Sequence, residues 1–257
     1  MSVYKKTKLL FTLYILANIL MVGCKGDKGD VGLTGPQGPI LTGNISGFVE
    51  LHSKDFLRYS DNSGVEVSVE GTNISTTTDI NGRWTLSNLN TGTYNIVFTK
   101  TGFGNIKKIG YQFAGGGTAY LDKIILVQKP SIKITSISPN VSSSFYVSGE
   151  LSTNANPNYG STVLLFMDTT NNVSSNPNNY LTCTNAWASN SSIFYELNIS
   201  HSQLREILSL QSGTHVYIAA YSTAVDFYNS VYTDPITGKD VYTAISDSSI
   251  NTSFVMP

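Results

Sequence analysis

The sequence predicts an all-β protein built as two β-sandwich domains in tandem, and three observations lead there. Only 13% of the 257 residues are charged, against about 25% in an average soluble domain. Ser, Thr and Asn number 82 of the 257 residues, a composition of strand faces and polar turns rather than of long helices rich in Ala, Leu, Glu and Lys. Apolar residues alternate with period two in short runs separated by Gly, Asn and Asp. The length suits one or two domains. With 16 basic and 17 acidic residues, the chain is not a strongly basic nucleic-acid binder, because phosphate contacts need many Lys and Arg.

Residues 1–23 read as a signal peptide. Lys5, Lys6 and Lys8 precede the apolar run Leu9–Val22, which at about 14 residues is a signal h-region and not a span of roughly 20. Met21-Val22-Gly23-Cys24 follows. This tetrapeptide resembles the lipobox of bacterial lipoproteins, with Met21 where Leu is usual. The resemblance implies cleavage after Gly23, diacylglycerol on the Cys24 sulfur and acylation of the new amino terminus. The membrane is then a partner through its lipid, more than one acyl chain giving stable anchoring. The other reading is an ordinary signal peptide with an incidental Cys. Losing residues 1–23 removes three Lys and no acid, so the exported chain carries −4. Cys183 is then the remaining Cys, no intramolecular disulfide forms, and the thiol reads as a small buried hydrophobe.

Residues 24–43 form a tether. From Gly26 to Ile40, Gly falls at every third place for five triplets, with Pro36 and Pro39. Collagen helices need that register because only Gly fits their axis. Five triplets offer few interchain bonds, so a flexible spacer is one reading and weak trimerisation, helped by crowding at the membrane, the other. Such a stretch directly after a lipid Cys, with Asp27 and Asp30, resembles those of Bacteroidetes surface lipoproteins. The implied location is the cell envelope, in the outer membrane and exposed at the surface.

Residues 44–128 predict the first sandwich. Ile45–Leu51 is a strand. In Gly64–Glu70, Val65, Val67 and Val69 share one face. Asp79-Ile80-Asn81-Gly82 turns into Arg83–Leu86. Tyr94, Ile96 and Phe98 alternate within Thr93–Lys100, and Ala119–Val127 closes the domain. Asp79-x-Asn81-Gly82 also resembles the start of a calcium loop, but lacks the later Glu that completes one. The whole set, from Gly47-x-Val49 through Gly64-Val65-x-Val67, Thr78-Asp79-x-x-Gly82-x-Trp84-x-Leu86 and Leu89-x-x-Gly92-x-Tyr94-x-Ile96 to Gly102-Phe103, resembles the carboxypeptidase regulatory-like domain. That family implies a transthyretin-like sandwich of about seven strands and a non-catalytic module attached to peptidases, outer-membrane receptors and surface proteins, with no active site to carry over.

Residues 129–257 predict the second sandwich. After Lys129-Pro130 come strands at Ile132–Ile137, Ser144–Leu151, Thr162–Met167 and Ile193–Ile199, with a turn at Pro139-Asn140 and a polar loop at 171–179. One short helix follows: Ser200 caps it, Gln203 completes a capping-box spacing, Leu204, Ile207, Leu208 and Leu210 form its apolar stripe, and Gly213 ends it. His215–Ser222 and Ile250–Met256 are the last strands. Leu210-x-x-Gly213-Thr214-x-x-Tyr217-x-x-x-Tyr221 resembles the penultimate strand of a fibronectin type III or immunoglobulin-like domain. The connection from Asp226 to Ser246 is long for a hairpin. Its Phe227, Tyr228, Tyr232 and Tyr242 are candidate binding residues, together with Trp187. The competing reading packs those rings back on the sandwich or into an extra hairpin.

Catalytic signatures are missing. His52, His201 and His215 are scattered, with no zinc spacing; no Gly-x-Ser-x-Gly elbow and no phosphate loop occurs. No cofactor and no metal are expected, and the protein reads as not an enzyme. The leading expectation is a membrane-anchored surface lipoprotein serving as a binding, adhesion or accessory envelope module for a protein or glycan. A glycan-binding accessory lipoprotein, with Trp187 and the loop tyrosines as stacking platforms, is the alternative. A cryptic hydrolase is third.

Overall fold

Seventeen strands and one α-helix carry the described residues of the computed structural model, which are Gly38 and residues 40–225, 227–247 and 249–257. The expected signal peptide, the expected lipid site Cys24 and nearly all of the Gly-X-Y run lie outside them. No helix among the described residues is long and apolar enough to cross a membrane.

The first half comprises β1 (Thr42–His52), β2 (Glu66–Val69), β3 (Ser75–Thr77), β4 (Arg83–Asn90), β5 (Gly92–Thr99), β6 (Ile106–Phe113), β7 (Thr118–Tyr120) and β8 (Ile124–Val127). One layer has the order β4-β1-β7, with β8 pairing the later part of β1; the other is β3-β2-β5-β6. Alternation explains the core: Ile45, Val49 and Leu51 of β1 and Trp84 and Leu86 of β4 face Val67 and Val69 of β2 and Ile96 and Phe98 of β5. Trp84 meets Phe98 edge-on at 5.4 Å. Gly47 makes room for it, since a Cβ there would lie 2.8 Å from the indole. At the 79–82 turn, Asp79 Oδ1 accepts from the backbone N–H of Asn81 and of Arg83, each at 2.9 Å, and Gly82 sits at φ +78°. That carboxylate closes its own turn.

The second half comprises β9 (Ile134–Asn140), β10 (Phe145–Leu151), β11 (Ser161–Asp168), β12 (Thr182–Ala188), β13 (Phe194–Ile199), helix α1 (His201–Leu208), β14 (His215–Ser222), β15 (Val231–Thr233), β16 (Asp240–Tyr242) and β17 (Ile250–Val255). Seven of these strands run β17-β14-β11-β12-β13-β10-β9. The β12–β13 link is a single pair, Trp187 opposite Glu196, and β9 packs across from β17. The sheet therefore folds over into two layers of three and four strands, the arrangement of an immunoglobulin-like sandwich. Phe145, Val147, Val163, Leu165, Met167, Tyr195, Val216 and Ile218 fill the space between them.

Local signals place the helix. Ser200 accepts from the Gln203 N–H and the Gln203 side chain returns to the Ser200 N–H, while Leu204 and Leu208 are buried. The helix ends at Ser209, in the left-handed region at φ 53°, earlier than Gly213. Pro139 is a correction of a second kind: it does not turn the chain but sits inside β9, opposite Val147. A sheet-edge strand tolerates Pro because its missing N–H costs no ladder bond.

The two sandwiches belong to one compact unit, Ile40–Pro257. Val127, Ala224 and Ala244 form a small shared core. Val225 N–H donates to Lys54 C=O at 2.9 Å, Asn156 Nδ2 donates to Asp55 Oδ1 at 2.9 Å, and Lys129 pairs with Asp247 at 2.6 Å.

Candidate functional site

Which sheet faces stay open decides where a ligand can sit. The outer face of β11 and β14 is closed. Leu164 and Phe166 of β11 and Ala219 and Tyr221 of β14 lie under Val173, Tyr180, Phe227 and Ile245. The 226–246 connection supplies much of that cover. It makes a 3-10 turn over Phe227–Ser230 and the β15–β16 hairpin, in which Val231 pairs with Tyr242 and Thr233 with Asp240.

The candidate loop residues separate accordingly. Phe227 is 3% exposed and Tyr228 is 72% exposed, their rings 4.0 Å apart. Tyr232 and Tyr242 are half-buried, and Tyr242 meets Phe166 edge-on at 5.7 Å. Burial pushes the Tyr242 hydroxyl up to about 12 and the Cys183 thiol also up to about 12. Cys183 is partly buried against this aromatic cluster, so little thiolate forms near neutral pH.

On the other side of the bend the outer face is open. The outward positions of β9, β10, β13 and β12 line a groove of about 790 Å³. Register builds it. Asn198 lies opposite Tyr146, Glu196 opposite Ser148, and Phe194 opposite Glu150; Trp187 lies opposite Glu196 across the single β12–β13 pair. Their inward neighbours, Val147, Tyr195 and Ala186, stand in the core, so alternation forces this row outward. Trp187 is 47% exposed and Phe194 is 61% exposed. Tyr146 Oη donates to Glu196 Oε2 at 2.9 Å, and that bond to the charged carboxylate holds the tyrosine's proton on, raising its pKa. Gly149 lets the floor close tightly, since a Cβ there would lie 2.4 Å from Tyr195 Oη, whose hydroxyl donates to Ser136 C=O at 2.8 Å.

The structure thus separates Trp187 from the four loop aromatics, and joins it to Tyr146, Glu150, Phe194 and Glu196, which the sequence marks only as strand residues. Their signal is a strand aromatic on both faces: Phe194 out, Tyr195 in. Among the described residues no group of three or more His, Cys, Asp and Glu could hold a metal ion. His52 is buried beside Glu50, 3.5 Å away, and His201 Nε2 lies 3.0 Å from Val141 C=O. Neither lines the groove.

The CarboxypepD_reg-like domain family matches residues 60–115, the stretch that holds β2 to β6. No curated protein matches the chain. Among solved structures, a cohesin–X-dockerin complex from Acetivibrio cellulolyticus is 22% identical, with a TM-score of 0.30 over 34% of this chain and 58% of that one. The chain therefore spans little more than half of that structure's length. A Bacteroides uniformis protein proposed to bind carbohydrate is 14% identical, with a TM-score of 0.28 over 83% of this chain and all of that one. A DUF3823 family protein from Parabacteroides merdae is 14% identical, with a TM-score of 0.30 over 85% of this chain and all of that one. At such TM-scores these likenesses carry no conclusion about activity.

Proposed function

We propose that this chain is an exported, lipid-anchored, non-catalytic binding protein whose second sandwich holds a carbohydrate in the β9–β10–β13–β12 groove. One observation carries the reading: two large aromatic faces, Trp187 and Phe194, stand exposed beside the tyrosine-oriented carboxylate of Glu196. A sugar ring has a C–H face and a hydroxyl rim. Flat aromatic rings suit the first, and carboxylate and amide acceptors suit the second. Asn185 and Asn198 supply the amides. Glu150 and Glu196 are exposed, whereas a general acid at neutral pH needs a carboxyl set in an apolar, water-poor place. The reading is therefore recognition, not hydrolysis.

A glycan array probed with the detergent-solubilised full chain tests it. Trp187→Ala is expected to weaken the best signal about 30-fold, as loss of a central aromatic anchor does at about 2 kcal/mol. Its unfolding midpoint is expected to stay put, because the ring is half in solvent. An empty array, or equal binding by Trp187→Ala, overturns the proposal.

Anchoring has its own test. Cys24→Ala is expected to move the protein from the membrane to the soluble fraction, since the diacylglyceryl group attaches at that sulfur. Unchanged fractionation refutes the anchor. On this reading the Gly-X-Y run is the spacer that carries the sandwiches clear of the membrane.

A further inference from the structure

We infer that the groove selects by charge, admitting uncharged, hydroxyl-rich carbohydrate and turning away chains that bear carboxylate or sulfate. The inference rests on the carbohydrate reading above and specifies its ligand class.

Among the described residues, the charged groups facing the groove are Glu150 and Glu196, and no Lys, Arg or His lines it. Several described cations are committed elsewhere: Arg58 and Lys123 to Glu50, Lys107 to Glu70, and Lys129 to Asp247. Arg205 Nη2 donates to Pro257 C=O at 3.4 Å, and Lys239 donates to Tyr180 C=O. Glu196 has the Tyr146 hydroxyl, a neutral donor, as its partner, which orients the carboxylate. Glu150 and Glu196 lie diagonally on adjacent antiparallel strands, since Glu150 faces Phe194 and Ser148 faces Glu196. Their charges therefore fall on the same stretch of any ligand lying across Trp187 and Phe194.

An ionised carboxylate only accepts hydrogen bonds. A ligand must donate to both glutamates, which sugar hydroxyls do and ligand carboxylates or sulfates do not. An acidic chain would also meet two like charges within a few ångströms, inside the Debye length of about 8 Å at physiological ionic strength. Neither glutamate has a cation partner among the described residues to cancel that repulsion. Glu196 acts as a specificity-determining residue, with Tyr146 positioning it.

Matched pairs decide the matter: β-1,4-linked glucose and mannose hexasaccharides against their C6-oxidised uronic acid counterparts, titrated onto the detergent-solubilised chain. At 50 mM salt the neutral member of the binding pair is expected to bind at least tenfold more tightly. At 0.5 M salt the gap is expected to shrink, and Glu150→Gln with Glu196→Gln is expected to narrow the ratio of neutral to acidic affinity at low salt, with neutral binding itself weakened because each amide keeps one acceptor oxygen in place of two. Equal or tighter binding of the acidic member overturns the charge selection alone, as does a gap insensitive to both salt and the glutamines. Silence from both neutral chains, with an empty array, overturns the carbohydrate reading itself.

Discussion

Phe166→Ala is expected to cost about 3–5 kcal/mol of stability, the range for emptying a fully buried aromatic site, and to loosen the 226–246 connection. Phe166 has no exposed surface. It lies on the outer face of β11, with Tyr180 5.0 Å away, Tyr221 5.5 Å away and Tyr242 5.7 Å away, all edge-on. Each such contact contributes about 0.5–1.5 kcal/mol beyond area. The tyrosines cannot collapse freely into the space left, because the Tyr180 hydroxyl is tied to Asp240 C=O at 2.6 Å and Tyr242 is held in the hairpin opposite Val231. For a unit of this size each kcal/mol lowers the midpoint by about 2–4 °C, so a drop of roughly 10 °C is expected by calorimetry. Limited proteolysis is expected to cut within residues 226–246 first, with Phe166→Leu intermediate. A loss below about 1 kcal/mol would show that this aromatic layer is not what holds the connection down.

That layer also marks how far the sequence could be read. Strands with a branched or aromatic row, such as β2 with Val67 and Val69 or β5 with Ile96 and Phe98, declare themselves, because burial on one face forces a period of two. β6 hides. Its run IKKIGYQF sets Lys107 and Lys108 side by side and Gly110 at φ +66°, and a bulge opposite Tyr94 and Ile96 breaks its register. β12 hides for another reason: its core-facing residues, Ala186 and Ala188, are small, so no apolar row is visible. Trp187 stands out as a large ring in a polar stretch. Its partners do not, because Tyr146, Glu150, Phe194 and Glu196 meet it only through pairing across three strands. The loop aromatics illustrate the converse. Four rings in one polar connection suggest a binding surface, yet β11 and β14 are apolar on both faces. A sheet of that kind requires a cover, and the connection supplies part of it.

The same economy of small residues governs how the two sandwiches meet, and there a single side chain is expected to act strongly. Gly104 is buried and donates its N–H to Val127 C=O at 2.9 Å. A Cβ on it would lie 2.5 Å from Thr243 Oγ1, 2.7 Å from Thr243 C and 2.9 Å from Ala244 N. The last two are backbone atoms of the opposite sandwich and cannot rotate away. Gly104→Ala is therefore expected to cost about 1–3 kcal/mol, the usual penalty of overpacking, and Gly104→Val to push the halves apart. Once parted, they lose the Val127–Ala224–Ala244 core and the Asn156–Asp55 bond. Each sandwich keeps its own larger core, so unfolding is expected to change from one transition to two, the behaviour of uncoupled domains. Gly117 is the internal control: a Cβ there meets nothing within 4 Å, and Gly117→Ala is expected to leave the midpoint within about 0.5 kcal/mol of the parent. The groove draws its residues from β9, β10, β12, β13 and the loop after β12, away from this contact. Gly104→Val is accordingly expected to bind ligand like the parent while melting in two steps. A single transition at the parent midpoint would mean that the junction yields without cost, and that the two sandwiches are coupled by something other than this close approach.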